Sequence, residues 1–209
     1  HATDKAYDLI QLPPLGLSGT AGAGLHALLE NYLYTTEAVG LMWDRLKPGG
    51  VLAFTTWTKL PPRDSLKLVA TVDQALGAKG IENSGKHLAM IRSWKTATLL
   101  VRKQPFSIEE LKHIRDFSRQ RGFDLVYLPG LERNEANRYN LLREPYFFDG
   151  VAALLGKQQK RYIAEYKFNI NPATDNQPHF NRLFCCCSFI SLLFFFLCFC
   201  LSLLFFSFS

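Results

Sequence analysis

The stretch Leu46-Lys-Pro-Gly-Gly-Val-Leu-Ala-Phe-Thr-Thr-Trp57 decides the fold. Pro48, Gly49 and Gly50 stop whatever precedes them, and Val51 to Trp57 is a β-branched and aromatic run of the kind that packs on a pleated surface. Upstream, Val39, Met42, Trp43 and Leu46 fall at i, i+3, i+4 and i+7, so a helix is expected from Thr35 or Thr36, either of which can cap it. Further upstream, Tyr7 to Leu12 is short, apolar and closed by Pro13 and Pro14, which predicts a buried parallel strand. Downstream, Pro61 and Pro62 break the chain ahead of a helix from Asp64 or Ser65 to Leu76. Its stripe is Leu68, Val69, Val72 and Leu76, with Gly77 or Gly80 to end it.

Two strands follow, His87 to Trp94 and Thr96 to Arg102, with only Lys95 between them, which predicts an antiparallel hairpin. Ser107 and Glu110 form a capping box ahead of Leu111, Ile114 and Phe117, and Gly122 supplies the stop. Phe123 to Leu128 reads as another strand. From Asn134 to Asn171 the chain is polar and aromatic with short helices, notably around Lys157 to Tyr166. Strand, helix, strand, helix and then a hairpin predicts an α/β sheet finished by an antiparallel edge.

Charge divides the chain. All 24 basic and 18 acidic residues lie at or before Arg182, and residues 183–209 carry none. Two regions are therefore expected: an α/β domain over 1–182 and a low-complexity apolar tail over 183–209. The net charge of +6 belongs to the first region. Its cations are interleaved with acids, as in Lys112, Arg115, Asp116, Arg119 and Arg121, which describes a solvated face and argues against a nucleic-acid partner. All five cysteines are in the tail (Cys185, Cys186, Cys187, Cys198 and Cys200), which leaves the body without a disulfide framework or a thiol nucleophile. No metal site is expected, because His26, His87, His113 and His179 lack ligand spacing. The tail is long enough for a membrane helix. Its restriction to Leu, Phe, Cys, Ser and Ile equally fits a translated pyrimidine tract.

Five stretches carry a resemblance: ENYLYTTEA (Glu30 to Ala38), LKPGGVLAFTTW, PPRDSLKL (Pro61 to Leu68), HLAMIRSW (His87 to Trp94) and ATDNQPHF (Ala173 to Phe180). Over about residues 7–180 the chain resembles the spermidine synthase-like domain of multi-pass membrane proteins. That resemblance implies the C-terminal half of a Rossmann-like methyltransferase/spermidine synthase fold, whose last two strands make a hairpin. It implies a truncated transferase domain, aminopropyl or methyl. The parent would use S-adenosylmethionine or decarboxylated S-adenosylmethionine as co-substrate with a small-molecule amine, in polyamine metabolism at a membrane, with the domain on the cytoplasmic side.

The nucleoside site of that fold is built mainly by its first half, whose Gly-rich turn and ribose-holding acid have no counterpart in this sequence. Gly16, Gly19, Gly22 and Gly24 match such a turn weakly, and a plain flexible loop is the alternative. The base near the attacking amine is, by the same resemblance, an Asp at the end of the fourth strand. Here those positions read Leu12, Pro13, Pro14 and Leu15, with Asp8 four residues too early. The departure opens a second reading, a non-catalytic ligand-sensing or scaffold domain of a membrane transporter-like protein.

Candidate ligand residues are those at strand ends, where open α/β sheets place ligands. Glu30, Tyr32 and Tyr34 would suit a cationic amine through charge and cation–π attraction, or else Glu30 caps a turn and the tyrosines cover the core. Trp57, Arg63 and Asp64 would line the cleft beyond the second strand, with an N-cap as the alternative role for Asp64.

Overall fold

A computed structural model describes residues 5–12, 14 and 32–177. Glu30, the glycine loop and the tail 183–209 lie outside the described residues.

Strand β1 (Tyr7–Leu12) is followed by helix α1 (Thr36–Asp44), β2 (Leu46–Trp57), α2 (Asp64–Ala78), β3 (Leu88–Arg92), β4 (Thr96–Arg102), α3 (Ile108–Arg121), β5 (Asp124–Tyr127), α4 (Tyr146–Leu154) and α5 (Gln159–Glu165). The strands form one mixed sheet in the order β1-β2-β4-β3-β5. β1 is parallel to β2, and the β2–β4, β4–β3 and β3–β5 pairs are all antiparallel. The chain is thus α/β. The hairpin forms as expected but does not finish the sheet: β4 inserts beside β2, and β5 takes the edge beyond β3.

β2 begins five residues before Val51. Tyr7 pairs with Leu46 and Leu9 with Val51, so an irregularity absorbs Lys47 to Gly50. A Cβ on Gly50 would stand 2.8 Å from the Tyr7 carbonyl oxygen, which is why glycine sits at this close approach. β1 differs from its expected burial. Leu12 is buried, but Leu9 is 55% exposed and Tyr7 41%, because among the described residues β1 has a strand on one side only.

Residues paired across strands share a face. Leu52, Phe54 and Thr56 therefore lie beside Val101, Leu99 and Ala97 of β4, which in turn face Leu88, Met90 and Arg92 of β3. Nearly all of this face is buried. α2 packs into the same core, with Leu66, Leu68, Val69, Ala70, Val72 and Leu76 all inaccessible. The helix is buried beyond its predicted stripe because α1 and α4 both pack against it.

The predicted caps form. Thr35 Oγ1 accepts the Ala38 amide at 3.2 Å. Ser107 Oγ and the Glu110 carboxylate exchange backbone hydrogen bonds at 3.2 and 2.8 Å, and Gly122 ends α3 at φ 67°. The hairpin turn is longer than a single lysine. Ser93, Trp94 and Lys95 make it, with the Ser93 side chain accepting the Thr96 amide. His87 belongs to the short 3-10 turn Ser84–His87.

No helix among the described residues is long and apolar enough to cross a membrane.

Candidate functional site

The carboxyl end of β2 runs through Thr58 and the cis Leu60–Pro61 bond into α2. Asp64 is the first helical residue there, and no side chain caps the preceding Arg63 position. Placed in the first turn, a carboxylate faces the positive end of the helix dipole. Asp64 is 5% exposed. Its Oδ2 takes an ion pair from Lys59 Nζ at 2.6 Å, whereas Oδ1 has only Arg63 Nε at 3.9 Å and no hydrogen bond. One helical turn on, Lys67 is 3% exposed. Burial pushes its ammonium pKa down to about 8, and the neighbouring Asp64 charge opposes that fall.

Arg63 stacks its guanidinium over the Phe168 ring, 5.1 Å from the centroid. The Tyr166 hydroxyl donates to the Pro62 carbonyl, tying the segment after α5 to the loop before α2. Burial holds that phenol above its ordinary pKa, with Tyr162 adding to the effect.

Buried polar groups are nearly always hydrogen-bonded, so exceptions mark a locus for explanation. Six buried side-chain polar atoms lack a partner among the described residues, and four of them are Thr56 Oγ1, Thr58 Oγ1, Arg63 Nε and Asp64 Oδ1. All four lie within nine residues of sequence at the carboxyl end of β2. Two of them, Asp64 Oδ1 and Arg63 Nε, stand 3.9 Å apart, an acceptor and a donor that a small polar group could complete.

Of the residues expected from sequence, Arg63 and Asp64 come together here. Trp57 follows Thr56 by one residue, so it points to the opposite face of the sheet from the core. Tyr34 is 2% exposed and packs against Phe54 with ring centroids 6.1 Å apart, the core-packing role. Tyr32 is exposed, and its carbonyl accepts the Thr35 hydroxyl at 3.1 Å. Lys67 was not among the expected residues. Its only sequence signal is a position three after Asp64, which puts both on one face of the helix.

The strand-end position of the expected acid is filled by Leu12, buried in the core. Asp8 is largely exposed and pairs with Lys47 at 2.7 Å. Two of the quoted stretches meet: Asp175 Oδ1 accepts the Thr35 hydroxyl at 2.6 Å, and the Ala173 carbonyl accepts the Thr36 amide at 2.8 Å. Among the described residues no group of three or more His, Cys, Asp or Glu side chains is placed to hold a metal ion. No family model and no curated protein matches the chain.

Proposed function

We propose that this chain is the C-terminal half of a spermidine synthase-like transferase domain, and that its parent protein binds S-adenosylmethionine or decarboxylated S-adenosylmethionine and acts on a small-molecule amine at a membrane. The observation that carries the reading is the strand order β1-β2-β4-β3, with β4 inserted antiparallel between β2 and β3. β3 then runs parallel to β1 and β2. The resembled fold has such a hairpin as its last two strands, and β5 beyond β3 is an addition to it. The open edge of β1 and its exposed Tyr7 and Leu9 fit a sheet that continues beyond it.

In this reading the unpartnered oxygen of Asp64 accepts a hydrogen bond from the amine, and Lys59 and Arg63 face an anionic part of the ligand. The nucleoside itself would be held by the other half. The chain alone should therefore show no micromolar affinity for either nucleoside in calorimetry. Binding at that level would overturn the requirement for the missing half.

One observation favours a second reading, a non-catalytic ligand-sensing or scaffold domain. Leu12 fills the core where the transferase would hold its acid, and Asp8 faces solvent. Incubating the full-length parent with putrescine and decarboxylated S-adenosylmethionine separates the two. Aminopropylated product supports the transferase, and its absence from a protein that binds the nucleoside supports the scaffold.

A further inference from the structure

On α3, Arg115, Ser118 and Arg119 fall at i, i+3 and i+4 and share one face. Across from them stand Glu135, Arg138 and Tyr139 of the segment after β5. Together with Phe123 and Leu125 they enclose a notch of about 140 Å³, where about 10–15 Å³ suffices for one water. The sheet order sets β5 at the opposite edge from β1, so the notch is separate from the Asp64 locus.

Three guanidinium groups and one carboxylate line the notch, a second carboxylate, Asp116, pairs with Arg119, and each guanidinium is only partly used. Arg115 Nε donates to Glu135 Oε1 at 3.3 Å, Arg119 Nη2 to Asp116 Oδ1 at 2.7 Å, and Arg138 Nε to the Asn134 carbonyl at 3.3 Å. Guanidinium carries five donors, so most remain available for an oxyanion. The second observation is independent of charge. Ser118 is 1% exposed, yet its hydroxyl has no hydrogen-bond partner. A mid-helix serine otherwise points to solvent or bonds the carbonyl four residues back. Ser118 does neither, and it is one of the residues that line the notch.

An Arg–Glu bridge that merely ties α3 to the following loop would account for Arg115 and Glu135. It leaves the Ser118 hydroxyl unexplained, and Arg119 and Arg138, each with one bond made, keep donors to spare. Arginine forks match the geometry of phosphoryl oxygens, and a hydroxyl supplies a further donor. Phe123 and the 46% exposed Tyr139 add an aromatic border. We propose that this notch is a binding site for the phosphoryl group of a phosphate monoester whose organic part rests on the aromatic border.

The test is titration of the full 209-residue chain with phenyl phosphate, followed by ³¹P NMR, with inorganic phosphate and benzoate in parallel arms. Saturable binding is expected, tighter for phenyl phosphate than for inorganic phosphate, and weakened by salt. Arg138→Gln and Ser118→Ala should each lose affinity, the arginine variant by about tenfold or more, as for a lost hydrogen bond to a charged group. Glu135→Gln should bind more tightly, because it removes the repelling carboxylate and keeps a side chain able to hydrogen-bond. Circular dichroism checks folding, and Ser118→Ala remains decisive if Arg138→Gln unfolds. No saturation at millimolar phenyl phosphate, equal binding of benzoate, or unchanged affinity in the variants would each overturn the proposal.

Discussion

Two buried cations show how the same residue class does different work according to its partners. Arg92 and Asp124 are cross-strand neighbours on β3 and β5, almost inaccessible, and 3.0 Å apart. Asp124 also accepts the backbone amides of Arg138, Tyr139 and Asn140 at 2.6, 2.7 and 2.9 Å, so it orders the loop after β5 as well as neutralising the arginine. An Asn amide would turn a donor toward those donors and leave the Arg92 charge uncompensated. Asp124→Asn should therefore cost about 3–5 kcal/mol in urea unfolding, the range for a broken buried pair. Lys67 is different, since burial outweighs the attraction of Asp64 and its pKa falls from 10.5 to about 8. Between these values the unfolded chain binds the proton and the folded chain does not, so stability rises with pH across that window. Below about pH 8 both states are protonated and the full penalty, on the order of 3 kcal/mol, is present. Lys67→Met should shrink this rise to the part that Lys103, also lowered by burial, contributes, which unfolding midpoints at pH 7, 9 and 10.5 for both proteins would reveal. An equal rise in the variant would assign the effect to another group.

At the scale of elements, the contact between α4 and α2 is the tightest test of packing. A Cβ on Gly150 would stand 2.8 Å from both Leu66 methyl carbons, and Leu66 is fully buried. Gly150→Ala should destabilise by about 1–3 kcal/mol through overpacking. Leu66→Ala should cost about 2–5 kcal/mol by leaving a cavity. The double variant should lose less than the sum, because each change relieves the other; strict additivity would mean that α4 shifts away instead. This contact also shows which parts of the fold were legible in sequence. α3 is specified locally, by Ser107, Glu110 and Gly122, and its caps formed as read. α2 was readable as a helix, but the burial of Leu66 and Thr71 was not, because Leu66 packs on Gly150 of α4 and the Thr71 hydroxyl accepts the Ala173 amide, both from segments far later in the chain. α4 itself has no capping side chain to announce it. The candidate site was half legible for the same reason. Arg63 and Asp64 stand out beside two prolines, whereas Lys67 looks like any solvent-facing lysine until the tertiary structure buries it.

Across the whole molecule, the sheet order predicts a gradient of protection. β2 and β4 each have strands on both sides, while β1 and β5 lie at the edges of the described sheet. Amide hydrogen exchange should be slowest in Leu52 to Phe54 and Leu99 to Val101, where opening approaches global unfolding, and faster in β1 and in the four-residue β5. The outer edge of β1 adds a sharper test. Leu9 is more than half exposed, so Leu9→Lys should change stability by no more than about 0.5 kcal/mol in this chain, whereas Leu52→Ala on the adjacent strand should cost about 2–5 kcal/mol. The parent protein proposed above should respond differently. If its sheet continues past β1 with helices covering both faces, Leu9 becomes a buried strand position there, and the same lysine must bury its charge. Leu9→Lys should then be tolerated in the chain and strongly destabilising in the parent, read by thermal unfolding of each. Equal tolerance in both would show that Leu9 stays exposed in the parent, and would count against a covered sheet continuing past β1.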